Sequence, residues 1–182
     1  VYGFLQARGG FALESRRQTF TLNDGVVADD DTAKAATQID ADVLTIGLDG
    51  VDAFAGLNGG TADAMGLNLT DVNLALAMIT ERGGDARQFT SLEASAGSAG
   101  FVGVDGLTLS ANTLKVEVNQ GIAGTNGAMD TVIDYSGEQL EVLTGTGTTQ
   151  SLDMDGALGN MVRAAGNLEV NLFGFVSLSG SL

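Results

Sequence analysis

The chain of 182 residues contains no cysteine, no histidine, no proline and no tryptophan. Without cysteine it can form neither disulfides nor thiolate metal sites. Without histidine it lacks the commonest general base, the usual transition-metal ligand and the partner of a serine nucleophile. Because proline is largely excluded from sheet ladders, its absence favours a backbone that lies mostly in continuous strands. We therefore predict a protein that is not an enzyme and requires no cofactor.

Positive charge is also scarce. Eight Lys and Arg stand against 23 Asp and Glu, which gives a formal net charge of -15. Binding to nucleic acid or to an anionic membrane surface needs a cationic face. No stretch approaches the roughly 18 consecutive apolar residues of a spanning helix. We predict neither a nucleic-acid partner nor membrane insertion.

What the sequence does contain is strand pattern and glycine. Apolar and polar residues alternate with period two over long segments, which is typical of half-buried strands. The 27 glycines include several Asp-Gly and Asn-Gly pairs, such as Asp49-Gly50 and Asp105-Gly106, which favour tight turns. The apolar positions change from odd to even near Ala111, where we expect a bulge or bend. Only residues 31–38 suggest a helix, and residues 74–80, which could also be helical, we interpret as strand.

These patterns predict an all-β fold. Small, uniform apolar residues suit a thin core, so we expect an elongated, β-solenoid-like body or a narrow sandwich of long, mostly antiparallel strands. A chain of this length fits one domain. We therefore assign residues 1–182 to a single β-rich unit.

The two ends of the chain resemble each other. Residues 173–182 align without a gap on residues 2–11, at an offset of 171 residues. This match predicts one period of a tandem array, in which residues 172–182 start the next repeat and adjacent units continue end to end. The residues that we assign to this inter-repeat joint are Tyr2, Phe4, Leu5, Phe11, Phe173, Phe175, Val176, Leu178 and Leu182.

The densest acidic cluster is a candidate metal site. Asp29, Asp30 and Asp31 are consecutive, and carboxylates on a loop are the hard ligands that Ca²⁺ prefers. A solvated acidic loop is the competing interpretation. Calcium is the one ion that the sequence suggests, with these three residues as its candidate ligands.

Four segments carry a resemblance to known sequences: residues 52–59, 66–72, 94–110 and 166–176. They resemble the tandem repeats of very large, acidic, secreted bacterial surface proteins of the adhesin-like kind. The resemblance implies an extracellular or cell-surface location and a structural role. We expect a repeat that assembles with neighbouring copies of itself into a fibre, filament or adhesin stalk. The alternative is a calcium-dependent module that binds a glycan or another surface ligand.

Overall fold

The computed structural model describes residues 4–23, 37–83, 86–121 and 131–181, and this part of the protein is all-β. Its strands form an open eight-stranded antiparallel sheet and a separate two-stranded hairpin. The all-β class and the long antiparallel strands that the sequence predicts are therefore confirmed. The strands are β1 Leu5–Asn23, β2 Thr37–Leu57, β3 Met65–Glu81, β4 Gln88–Val102, β5 Leu107–Gly121, β6 Val132–Ile133, β7 Leu140–Gly145, β8 Thr148–Leu152, β9 Met161–Leu172 and β10 Val176–Ser181.

The main sheet is a meander in the order β10-β9-β5-β4-β3-β2-β1-β6. Strands β1 to β5 have between 15 and 21 residues. Most strands in globular proteins have three to ten. Long strands that are neighbours in sequence and in space make the sheet an extended platform.

Several local predictions can be compared with this arrangement. Residues 74–80 lie in β3, which confirms the strand interpretation. The chain reverses between β9 and β10, where Phe173 and Gly174 both adopt positive φ. Of the predicted helix, residues 31–36 lie outside the described residues, whereas residues 37 and 38 begin β2.

One Asp-Gly pair does not make the turn that the sequence suggests. Asp49 and Gly50 lie within β2, where Gly50 has a φ of 56° and the register with β1 shifts between Arg8 and Gly10. The pair therefore makes a bulge. In β5, Thr113 has a φ of 53° and the register with β9 shifts close to it, which confirms the irregularity predicted near Ala111.

The hairpin β7–β8 packs on one face of the sheet, over β1, β2 and β3. Small sheet residues let its backbone approach closely, since Ala41, Ala75 and Ala77 are fully buried beneath it. The larger members of this core are Phe20, Leu22, Ile39, Val43, Ile79, Phe89, Ile133, Tyr135, Leu140, Val142, Leu152 and Met154.

In β3 the core therefore contains the odd-numbered residues, whereas the large apolar residues that alternate most regularly are the even-numbered ones. Leu74, Leu76 and Met78 alternate with the buried residues Ala75 and Ala77, and so they point away from the hairpin. Burial follows contact with the hairpin rather than side-chain size. As a result, the face without the hairpin carries many of the large aliphatic residues.

We call the face of the main sheet that lies opposite the hairpin the open face. Directly opposed residues on neighbouring strands form rows across it. Its central row crosses six strands in unbroken register. The members of this row are Leu13, Ile46, Leu76, Leu92, Val118 and Val162.

None of the described residues belongs to a helix with the length and apolar character needed to cross a membrane.

Candidate assembly edges

The predicted joint residues lie on the two sides of the main sheet. Along residues 5–20, the outer side of β1 has no strand partner among the described residues, since β6 pairs with Leu22 and Asn23 and the Asp134 N–H donates to the Thr21 carbonyl. The outer side of β10 has no strand partner in that part of the chain either. We call these the β1 edge and the β10 edge. Unpaired ladders of this kind are templates for pairing with another chain.

The joint side chains at these edges are exposed. Leu5 retains 73% of its accessible surface and Phe175 retains 91%. Five further members, which lie at or next to the same edges, are also exposed: Phe4, Phe11, Phe173, Val176 and Leu178. Within one chain the two groups are not brought together, because five strands separate β1 from β10. Tyr2 and Leu182 lie outside the described residues.

The two edge strands begin at equivalent positions of the sequence match. β1 begins at Leu5 and β10 at Val176, and 176 − 5 equals the offset of 171 residues. The two strands also run in the same direction, because six successive antiparallel pairings connect them and an even number restores the direction. β10 is thus equivalent to β1 in start and in orientation.

The register across the sheet preserves the apolar face. The row of opposed residues that starts at Leu5 ends at Leu178, and 178 − 171 gives Ala7 as its counterpart. From one period to the next, the rows of opposed residues are therefore displaced by two residues along the strand. Because side chains alternate with period two, an even stagger keeps the same face apolar, whereas an odd one would exchange the faces. The intervening members of this row are Ala55, Leu67, Phe101, Leu109 and Val170.

A tight turn connects β9 to the edge strand β10. Phe173 and Gly174 have φ values of 51° and 72°, and the Phe175 N–H donates a hydrogen bond to the Leu172 carbonyl at 2.9 Å. Positive φ at both central residues is the geometry of a type I′ hairpin turn. The Phe173 ring lies against Gly106, where an added Cβ would be 2.7 Å from the ring. The turn sequence, residues 172–176, has its counterpart at residues 1–5.

Buried polar contacts hold the hairpin in place near β4. Glu93 is only 7% exposed, and its Oε1 accepts a hydrogen bond from the Asp153 backbone N–H at 3.0 Å. Burial raises the pKa of Glu93 above its ordinary value, and the neighbouring Asp153 carboxylate acts in the same direction. These groups tie the chain after β8 to the sheet and so fix the position of the hairpin.

A second carboxylate organises the chain around β6. Asp134 is partly buried, which by itself raises its pKa, but hydrogen bonds outweigh this effect and the pKa lies below its ordinary value. Its carboxylate accepts from the Ser136 hydroxyl and from the backbone N–H groups of Ser136 and Gly156 at 2.7 to 3.1 Å, and from Asn23 Nδ2 at 3.2 Å. All of these are internal contacts, so we assign Asp134 a structural role.

The candidate calcium ligands Asp29, Asp30 and Asp31 lie outside the described residues. Within residues 4–23, 37–83, 86–121 and 131–181, no group of three or more acidic side chains could hold a metal ion.

The chain matches no protein-family model, and no curated protein or solved structure is detectably similar to it.

Sequence analysis predicted the joint residues but did not predict the open face. The signal was present in the alternation of Leu74, Leu76 and Met78. Alternation alone does not tell which face of the sheet the hairpin covers, because the position of the hairpin depends on contacts between residues far apart in the chain.

Proposed function

We propose that the protein is a non-enzymatic structural repeat of a large extracellular bacterial protein, in which successive units share edge strands. In such an array β10 is the first strand of the following unit, and one antiparallel sheet continues from unit to unit. The sequence resemblance to adhesin-like surface proteins supports the location and the filament or stalk role. The long, open sheet supports the mode of continuation.

The observation that carries this proposal is the equivalence of the two sheet edges. β10 repeats β1 in sequence, starting position and direction, and the row stagger of two residues keeps the apolar face continuous. A chance resemblance between the two strands would not require them to agree in starting position, direction and row parity together. Sharing the strand also covers both exposed ladders, which otherwise favour irregular association.

The partners implied are neighbouring copies of the same unit. Each unit contributes a formal charge of -15, so an array would be strongly anionic and would resist non-specific association with nucleic acid or anionic lipid. The sheet edges provide the contact between successive units, where strand pairing is specific.

A two-unit chain tests this proposal. Residues 1–171 followed directly by residues 1–182 place the second β1 where β10 stands in the single chain. We expect one cooperative unfolding transition with a higher Tm than that of the single chain, because adjacent repeats stabilise each other through their interface. Small-angle scattering should show one elongated body.

The matched control joins two complete 182-residue chains through a flexible Gly-Ser linker, which leaves each β10 in its own unit. This control should unfold at the Tm of the single chain when both are measured in dilute solution. If the directly joined chain has the same Tm as the linker control, or unfolds in two separate transitions, strand sharing is wrong.

A further inference from the structure

The open face has no covering layer among the described residues. Its central row is flanked on each side by a further row, two residues along each strand. One flanking row is apolar, with Leu48 opposite Leu74. The other is mixed, and its members are Ser15, Leu44, Met78, Thr90 and Gln120. Exposure is highest at the two ends of the central row, where Leu13 retains 59% and Val162 66% of its accessible surface.

The charges of this face cancel, although the chain as a whole is strongly acidic. Beyond these three rows, Arg17 lies opposite Asp42, and Thr19 lies opposite Asp40. Arg82 follows β3 and places Nη1 3.1 Å from Asp42 Oδ1, and hydrogen bonds from Arg82 and Arg17 lower the pKa of Asp42. Two arginines therefore balance two aspartates. A second molecule approaching this face meets less repulsion than the net charge of -15 implies.

The size of the patch matches what a stable dimer needs. Six strands about 4.8 Å apart span about 29 Å, and three rows separated by about 6.8 Å span about 20 Å. The flat projection is then about 580 Å² for each partner, or about 1,200 Å² for two. Specific, stable interfaces begin at about this total area.

We propose that the open face binds the open face of a second copy of the chain, so that two sheets form a narrow sandwich. Because the same patch is used by both copies, the interface is two-fold symmetric and closes at the dimer. The centre of six strands lies between β3 and β4, so the two-fold axis passes near Leu76 and Leu92. Facing sheets pack about 10 Å apart with interdigitated side chains. This pairing is independent of strand sharing at the sheet edges.

A charge placed at the centre of the patch tests the proposal. Leu76→Lys buries an unpaired ammonium group in the dimer, whereas Leu143→Lys adds the same group to the outer side of the hairpin, where Leu143 is already 40% exposed. In sedimentation velocity over a concentration series, the unchanged chain and Leu143→Lys should be dimers. Leu76→Lys should be a monomer with an unchanged far-UV circular dichroism spectrum.

Cysteine cross-linking provides a second measurement that tolerates partial loss of stability. The chain contains no cysteine, so one introduced thiol gives an unambiguous signal. A thiol-specific cross-linker with a spacer of about 10 Å should join Leu76→Cys chains into a covalent dimer much faster than Thr149→Cys chains, whose thiol lies on the exposed hairpin, because the symmetry axis brings the two copies of residue 76 to about the sheet spacing, which is too wide for a direct disulfide.

A chain that stays monomeric up to high micromolar concentration would overturn the proposal, as would equal cross-linking rates of the two cysteine variants. An open-ended series of oligomers that Leu76→Lys leaves unchanged would also overturn it, since edge pairing extends without closing. The two-unit experiment reports on strand sharing by its Tm in dilute solution, so the two proposals can fail separately.

Discussion

Gly47 controls how closely the hairpin can approach the sheet. A Cβ atom added at this position would lie 2.8 Å from the Leu143 carbonyl carbon and 2.9 Å from the Thr144 Cα, with the Leu143 carbonyl oxygen closer still. All three are backbone atoms, so no side-chain rotation relieves the contact. Gly47→Ala should therefore displace β7 from β2.

The size of the effect follows from these distances. Ordinary van der Waals contact to a Cβ begins at 3.4 Å, so β7 must move by at least 3.4 − 2.8 = 0.6 Å, and further to clear the carbonyl oxygen. Val142, fully buried beside this contact, moves with it. Forcing extra volume into a packed core typically costs about 1–3 kcal/mol. Because all three contacts are to backbone atoms, we take the upper end of this range, about 3 kcal/mol. Removing a strand glycine returns about 0.5–1 kcal/mol, which leaves a net loss of about 2 kcal/mol.

For a chain of this size, about 2 kcal/mol corresponds to a decrease in Tm of about 4–8 °C. Thermal and urea unfolding monitored by circular dichroism measure it. Gly137→Ala is the matched control, because a Cβ there meets no atom within 4 Å, and it should change stability by less than about 0.5 kcal/mol. If Gly47→Ala is as stable as the unchanged chain, the hairpin does not pack on β2 as described.

Three further substitutions test the polar interior. Arg87 donates two hydrogen bonds of 2.7 and 2.8 Å to the Glu81 carboxylate and thereby lowers its pKa. Glu81→Gln should therefore decrease the free energy of unfolding by about 1 kcal/mol at pH 7. A carboxyl group whose pKa is lowered by folding stabilises the protein, and this stability is lost as the pH falls through the folded-state pKa. The stabilities of Glu81→Gln and the unchanged chain should therefore become equal in acid. A difference that does not depend on pH would contradict the ion pair. For Glu93 the pH dependence of stability is opposite, because burial and the Asp153 carboxylate raise its pKa. Stability is then lost as the pH rises through the folded-state pKa of Glu93. Glu93→Gln should be about 1 kcal/mol more stable at pH 7 and equal to the unchanged chain in acid, as measured by urea unfolding; a loss at pH 7 would refute this. The phenol oxygen of Tyr135 is buried without a hydrogen-bond partner in the described part of the chain, so Tyr135→Phe should unfold within about 1 kcal/mol of the unchanged chain, and a loss beyond about 2 kcal/mol would reveal a hydrogen bond.

Much of the fold could be predicted because its signals are local. Alternation of period two identified the strands, and the phase change near Ala111 correctly indicated an irregularity in β5. Asp49-Gly50 was wrong as a turn, because positive φ at Gly50 also suits a bulge within a strand. Such dipeptides specify a backbone conformation, and the surrounding pairing decides whether the chain reverses.

The candidate edges were accessible to sequence analysis for a different reason. The match between residues 2–11 and 173–182 is a comparison of two segments, and it requires no knowledge of what lies between them. Its geometric meaning did require the sheet. The two-residue stagger that relates Leu5 to Leu178 accumulates over six strand pairings, and each register depends on its own turn and bulges.

The sequence by itself determined that this chain is a long-stranded, acidic β protein without thiol or imidazole chemistry, since composition and side-chain period are properties of the chain. Only the tertiary structure decided which of the two alternating sets of apolar residues, odd-numbered or even-numbered, is buried. Ala75 and Ala77 lie beneath the hairpin, whereas Leu74 and Leu76 face away from it. Both parities of β3 are apolar enough to form a core, so the choice depended on which face could admit a second layer closely. Small residues and Gly47 admit it on one side, and the larger aliphatic residues remain on the other.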